Sequence, residues 1–335
     1  MPHHILLTGA AGRIGAHVLV YLLSKGYTIT ALDLVPLPLQ VTSRIPTAIH
    51  SALKAAVCDL TDYHALEEVF TTSSTPITAI VHLGAIPNPL RNDGRTVHNN
   101  NVVSSYNVLR TGSDHGVRRI VQASSVNAPG LSFPPEGHQK FDELPVTEET
   151  PMRPVSERDD WLRRDTDIAI GGPICHIQGV SASILVTTDA SVCELQATAM
   201  TRFTPGLRIA SLRFHLCELS YTTAVPLTLV RDVFCWTSFD ACASACELGL
   251  TSEGWEGHEV FNIVAPEICW EGGVKTEEQS KVVKEEKVGS LELIEEHWRG
   301  RYNGLREGWW DGRPRRSFWD STKAERVLGW RHDES

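Results

Sequence analysis

No apolar run in this 335-residue chain approaches the roughly 20 residues a membrane helix needs, so no bilayer-spanning role is expected. Positive charge is scarce. The 31 Lys and Arg face 41 Asp and Glu, a formal net charge of −10. That balance speaks against a broad nucleic-acid surface and against binding to anionic membranes. The eight cysteines include no Cys-x-x-Cys pair and no histidines at metal-ligand spacing, so no metal site is expected. Cys242 and Cys246 share a helix face and read as ordinary core or surface thiols. There is no internal repeat, and no basic, apolar leader precedes the first strand; reduced cysteines and a cytoplasmic location are the expectation. The length suits one large α/β domain or two smaller ones.

What the chain does have is an ordered glycine loop. Thr8-Gly9-Ala10-Ala11-Gly12-Arg13-Ile14-Gly15 lies between the apolar run Ile5–Leu7 and an amphipathic stretch from Ile14 to Leu23. Strand, glycine turn and helix in this order form a dinucleotide-binding unit. Gly9 permits the tight turn, Gly12 lets backbone amides approach a pyrophosphate, and Gly15 allows the helix to pack on the strand. The helix start then offers free N–H groups and the positive end of its dipole. The next apolar run, Thr28–Leu32, ends on Asp33. An acid there bonds ribose hydroxyls and repels a 2′-phosphate, which favours NAD over NADP. Arg13 could greet a 2′-phosphate, or could be no more than a solvated first-turn residue.

Beyond the loop, strands and helices alternate to about residue 125. Lys54–Cys58 reads as a strand leading to Asp59-Leu60. Asp62 is placed to cap a helix running to Phe70. Ala79–Leu83 is a buried strand, 97–115 a helix closed by Gly116, and Arg119–Ala123 a strand running into Ser124-Ser125. This pattern predicts a Rossmann-type α/β fold, a doubly wound parallel sheet whose ligands bind beyond the strands' carboxyl ends. Asp33, Asp59, Gly84 and Ser125 all fall at such ends. Further strands are expected at 207–214 and 259–264. The predicted organisation is an NAD-binding domain over 1–214, with 157–191 atypical, and a smaller substrate-side region over 215–335 from which 259–264 returns to the sheet. The tryptophans concentrate late in the chain, at 255, 270, 298, 309, 310, 319 and 330. Burial in the smaller region explains them more simply than a cap over a sugar. The run 275–287 reads as a solvated helix or loop.

These residues together resemble the extended short-chain dehydrogenase/reductase group, the NAD-dependent epimerase/dehydratase family. The carrying motifs are TGAAGRIG, Asp33, Asp59-Leu60, His82-Leu83-Gly84-Ala85, and Asn101 and Asn107 in NVVSSYNVL. IVQASS ending at Ser125 and the closing Asp320–Ala324 with Leu328-Gly329-Trp330 complete the set. The resemblance implies a cofactor, NAD, held by Gly9, Ala11, Gly12, Arg13, Ile14, Gly15, Asp33, Asp59, Leu60, Leu83, Gly84, Ala85 and Asn101. It implies Ser125 as the catalytic hydroxyl, a sugar-like small-molecule substrate, and a homodimer built through helices flanking the sheet. It further implies a Tyr general acid/base whose proton affinity a nearby Lys lowers, with hydride exchanged at the nicotinamide.

One part of that pattern is missing. Leu144–Ser156 matches the family's lead-in, yet no Tyr and no Lys occurs between 150 and 200. With Glu194 set as the last member of Tyr-x-x-x-Lys-x-x-x-Glu, Val186 stands at the Tyr position and Ala190 at the Lys position. Neither moves a proton. Tyr21 with Lys25 has the spacing but lies at the helix end remote from the phosphates, beyond proton-transfer reach; Tyr106 with Arg110 is explained by helix packing and a surface charge. Two accounts fit. Residues 157–191 are foreign to the fold, as a translated intron or alternative exon would be, or they are genuine and the chain keeps the cofactor while losing the chemistry. An oxidoreductase or epimerase of impaired activity and an inactive dinucleotide sensor or non-productive isoform are therefore both expected readings. Leu212–Cys217 also lacks the Asn and Gly-Pro of nucleotide-sugar members, which makes free sugar acids a rival substrate class.

Overall fold

A computed structural model describes residues 3–87, 92–129, 140–150, 189–228, 233–270 and 288–332. Val186, nearly all of the atypical stretch 157–191 and the charged run 275–287 lie outside the described residues.

The strands are β1 (His4–Thr8), β2 (Thr28–Asp33), β3 (Leu53–Val57), β4 (Ala79–His82), β5 (Arg119–Ser125), β6 (Phe141–Leu144), β7 (Arg208–Phe214), β8 (Cys217–Glu218), β9 (Thr237–Ser238), β10 (His258–Ile263) and β11 (Tyr302–Leu305). The helices that matter here are α1 (Arg13–Ser24), α2 (Tyr63–Thr71), α3 (Ser104–Asp114), α4 (Asp189–Phe203), α5 (Phe239–Thr251), α6 (Ser290–His297) and α7 (Thr322–Leu328). A one-turn helix, Gly94–His98, and a π-helical turn, Asn99–Val103, lead into α3.

Seven strands form one sheet in the order β10-β7-β5-β4-β1-β2-β3, every pair parallel. The alternation of side chains along each strand divides the core. Ile5, Leu7, Ile29, Ala31, Val81 and Val121 face α1 and α5. Leu6, Ile80, Ile120 and Ile209 face the other way, with Val108 and Leu109 of α3, Leu66 of α2 and Ala197 of α4. Helices thus cover both faces, the Rossmann-type arrangement. Asp62 caps α2 by accepting from the amides of His64 and Ala65. Gly116 takes φ +84° just beyond α3, a backbone state that L side chains resist.

A third cluster gathers Phe141, Phe234, Phe318, Trp298, Trp309, Trp310 and Trp319 away from the sheet. All seven late tryptophans are buried. They are core, not an exposed sugar platform. The expected single helix over 97–115 is instead interrupted by the π turn, which inserts an extra residue beside the crevice.

Candidate functional site

The glycine loop joins β1 to α1, and steric contacts explain its glycines. Gly9 has φ +71°, and a Cβ there would stand 2.6 Å from the Leu83 carbonyl. A Cβ on Gly15 would stand 1.9 Å from the Gly9 carbonyl oxygen. A Cβ on Gly84 would meet the Leu60 side chain at 2.8 Å and Thr8 Oγ1 at 3.2 Å. The β4 end therefore lies against the Gly9 backbone, the Thr8 hydroxyl and the Leu60 side chain with no room for a Cβ. Gly12 is the N-cap of α1 and supplies no side-chain cap, so that helix start keeps amides for an external anion.

Asp33, at the end of β2, accepts from the Ala11 amide through Oδ2 at 2.9 Å, which fixes the acid against the loop. Arg13 is engaged elsewhere. Its Nη2 lies 2.6 Å from Glu218 Oε1, and its guanidinium sits 5.2 Å from the centroid of the Phe239 ring. Ile14 packs against the core beneath α1. Asp59 turns its carboxylate onto the Thr61 amide and hydroxyl, while the Leu60 carbonyl accepts from Asn107 Nδ2 at 2.9 Å.

The β4 end is stitched to β1 by a short chain of bonds. The Gly84 amide donates to Thr8 Oγ1, and the Thr8 hydroxyl shares a 2.7 Å hydrogen bond with His82 Nδ1. Burial pushes the His82 pKa down to about 4, so the ring stays neutral. Leu83, Gly84 and Ala85 continue from this anchor. Asn101, in the π turn, then clasps Ile86: Oδ1 accepts from its amide at 2.8 Å and Nδ2 donates to its carbonyl at 3.1 Å.

At the β5 end, Ser125 Oγ accepts from the Asn127 amide at 3.1 Å. Its neighbour Ser124 donates to Glu194 Oε1 at 2.6 Å. Arg213 of β7 meets the same carboxylate through two nitrogens at 2.9 and 2.8 Å, all of it buried. Ala190 occupies the first turn of α4, half-buried, directly after Asp189. The two alternative tyrosines stand apart from the crevice. Tyr21 donates to Glu247 of α5 at 2.8 Å; Tyr106 is exposed, and Arg110 pairs with Asp114.

Glu218, Asp189 and His98 carry no motif and were not singled out in the sequence. Glu218 acts on a residue some two hundred positions away. Asp189 could have been noticed only as the acid preceding Ala190.

The family model for the NAD-dependent epimerase/dehydratase family matches residues 5–157. The match is to the first half of the chain, and it places that half with the extended short-chain dehydrogenase/reductases. A UDP-glucose 4-epimerase of Caenorhabditis elegans is 33% identical over 162 residues, covering 44% of this chain and 42% of that protein. The chain spans less than half the length of the curated relatives it matches. Among solved structures, a UDP-glucose 4-epimerase from Thermotoga maritima superposes with TM-score 0.58 at 19% identity, over 98% of this chain and 94% of that one. A glucuronic acid dehydrogenase from Chromohalobacter salexigens gives TM-score 0.58 at 17% identity, over 100% and 86%. Both likenesses are of fold. The family's dinucleotide fits the residues present: the glycines leave no side chain over the uncapped start of α1, and Asp33 stands at the ribose end of β2.

Proposed function

We propose that this chain binds NAD in the crevice above β1, β2, β4 and β5, and that it acts on a sugar or sugar-acid substrate as an oxidoreductase or epimerase. The observation that carries the proposal is the start of α1, left without a side-chain cap at Gly12, together with the Asp33 carboxylate fixed against the same loop at Ala11. Bound NAD would accept or return a hydride. The amides of Arg13, Ile14 and Gly15 at the start of α1 would hold the pyrophosphate, Asp33 the adenosine ribose, and Asp59-Leu60 would lie at the adenine. Leu83, Gly84, Ala85 and Asn101 would line the remainder. Ser125 would orient the substrate oxygen. Residues 1–214 form the cofactor side and 215–335 the substrate side.

The substrate class divides two ways. Relatives named UDP-glucose 4-epimerase support a nucleotide sugar. The segment Leu212–Cys217, without the Asn and Gly-Pro of nucleotide-sugar members, supports a free sugar acid. The test is NADH titration by fluorescence, followed by turnover assays with hexoses, uronates and UDP-sugars. Binding with turnover, reduced at least 100-fold in Ser125→Ala, is the expected outcome; no NADH binding would overturn the proposal.

A second reading, a dinucleotide sensor without chemistry, is favoured by the absence of Tyr and Lys between 150 and 200. It predicts binding with no turnover on any of these substrates. We also propose a homodimer through α3 and α4, where Tyr106, Leu195 and Phe203 are exposed, as is Val103 just before α3. Light scattering of Leu195→Glu/Phe203→Glu, expected to be monomeric, tests it.

A further inference from the structure

We propose that His98 and Asp189 form the proton-transferring pair of this site, in place of the tyrosine and lysine that the chain lacks. The inference rests on the NAD chemistry proposed above.

The two residues come from different elements and converge. His98 ends the one-turn helix before the π turn, and Asp189 opens α4. His98 Nδ1 lies 3.1 Å from Asp189 Oδ1, and Asn101 Nδ2 donates to Asp189 Oδ2 at 3.1 Å. Both carboxylate oxygens are thereby directed. The frame around them is tied to both loops that open the crevice. Asn101 clasps Ile86 beyond β4, and Ser191 Oγ donates to the Ala128 carbonyl beyond β5. The Ala128 amide bonds in turn to the Ser125 carbonyl. Asp189 also directly precedes Ala190, where the family's lysine would stand.

The chemistry follows from this order of contacts. A carboxylate on Nδ1 holds that nitrogen as the donor, so the neutral ring presents the Nε2 lone pair. Nε2 has no partner among the described residues. The Asp189 side chain is 17% exposed and that of His98 39%, so the acid is enclosed while the ring reaches solvent. Burial raises the Asp189 pKa against the lowering contacts from His98 and Asn101. On its own helix the acid faces Cys193, whose thiol is pushed up to about 11 and stays neutral. Glu194 is occupied by Arg213 and Ser124. In oxidation, the substrate O–H bond breaks and its proton passes to Nε2. NAD, held at the start of α1 and by Asp33, would supply the acceptor for the carbinol C–H hydride as the C=O bond forms, while Asp189 offsets the imidazolium charge until solvent takes the proton. Reduction runs the same transfers backwards.

The test uses the full chain, with His98→Gln, Asp189→Asn and two probes, NAD+ and ADP-ribose, the second lacking the nicotinamide. Ring-nitrogen NMR of the wild type should show His98 as the Nδ1–H tautomer, and Asp189→Asn should abolish that preference. NAD+ should move the His98 ring signals, whereas ADP-ribose should not. With a turned-over substrate, His98→Gln should keep NADH affinity within about 2-fold and lose kcat by about 100-fold, within the range of general acid–base catalysis. The acid limb of its kcat/KM profile should vanish. Identical responses to NAD+ and ADP-ribose, or wild-type kcat in His98→Gln, would overturn the inference while leaving the cofactor proposal standing. Failure of both probes to bind would overturn both.

Discussion

At the residue scale, two contacts decide cofactor fit. A methyl group on Gly15 would occupy the space of the Gly9 carbonyl oxygen, and neither backbone can yield without moving β1 or α1. Gly15→Ala should cost about 1–3 kcal/mol or more of stability and reduce NADH affinity at least 10-fold, read by melting and by fluorescence titration. Arg13 carries the second contact. Glu218 holds its guanidinium, so the loop presents no free cation to a 2′-phosphate. Glu218→Gln should leave NADH affinity unchanged and strengthen NADPH binding about 3–10-fold, a difference on the order of 1 kcal/mol; equal NADPH affinities in the two proteins would show that Arg13 does not govern the choice. The glycines and Asp33 were legible in the sequence because local spacing dictates their roles. Glu218 was not, because its role depends on β8 arriving beside the loop from a distant part of the chain.

At the element scale, strands were easier to read than what joins them. Ile5–Leu7, Thr28–Leu32, Ala79–Leu83 and Arg119–Ala123 are continuous apolar runs because both faces of their sheet are covered. They fold as β1, β2, β4 and β5 within a residue or two of the expected bounds. The π turn at Asn99–Val103 was hidden, since its sequence fits a regular helix and only the clasp of Asn101 on Ile86 reveals the bulge. Helix α4 illustrates a different limit. Its attachment to β5 and β7 runs through Glu194, Ser124 and Arg213, an ion pair with side chains only 4% and 3% exposed. Removing one charge strands the other in the core. Glu194→Gln should lower stability by about 3–5 kcal/mol, seen as a lower urea midpoint. An unshifted midpoint would mean that water reaches Arg213.

At the scale of the whole molecule, one buried and one half-buried imidazole set an acid limit. Burial lowers the pKa of both His82 and His258 to about 4 from the usual 6.5. Below pH 6.5 the unfolded chain takes up protons that the folded chain refuses until about pH 4. Stability is therefore complete above pH 6.5 and falls as pH drops towards 4, by up to about 3 kcal/mol per ring. Urea unfolding across this range should show a shallower decline in His258→Gln than in the wild type. A parallel decline would place the acid limit elsewhere.

The order of the central sheet also bears on how the chain is made. Strand β5 pairs with β4 on one side and β7 on the other, yet β7 begins roughly 80 residues later, about 4–16 s of synthesis at typical rates of ~5–20 residues per second. Throughout that interval Ile120 and Val121 would form an unsatisfied apolar edge on a half-built sheet. Nascent chains of this protein therefore pass through a period in which chaperone protection or a slower ribosome would decide the yield. The stretch between β5 and β7 sets the length of that exposure, whatever else it does.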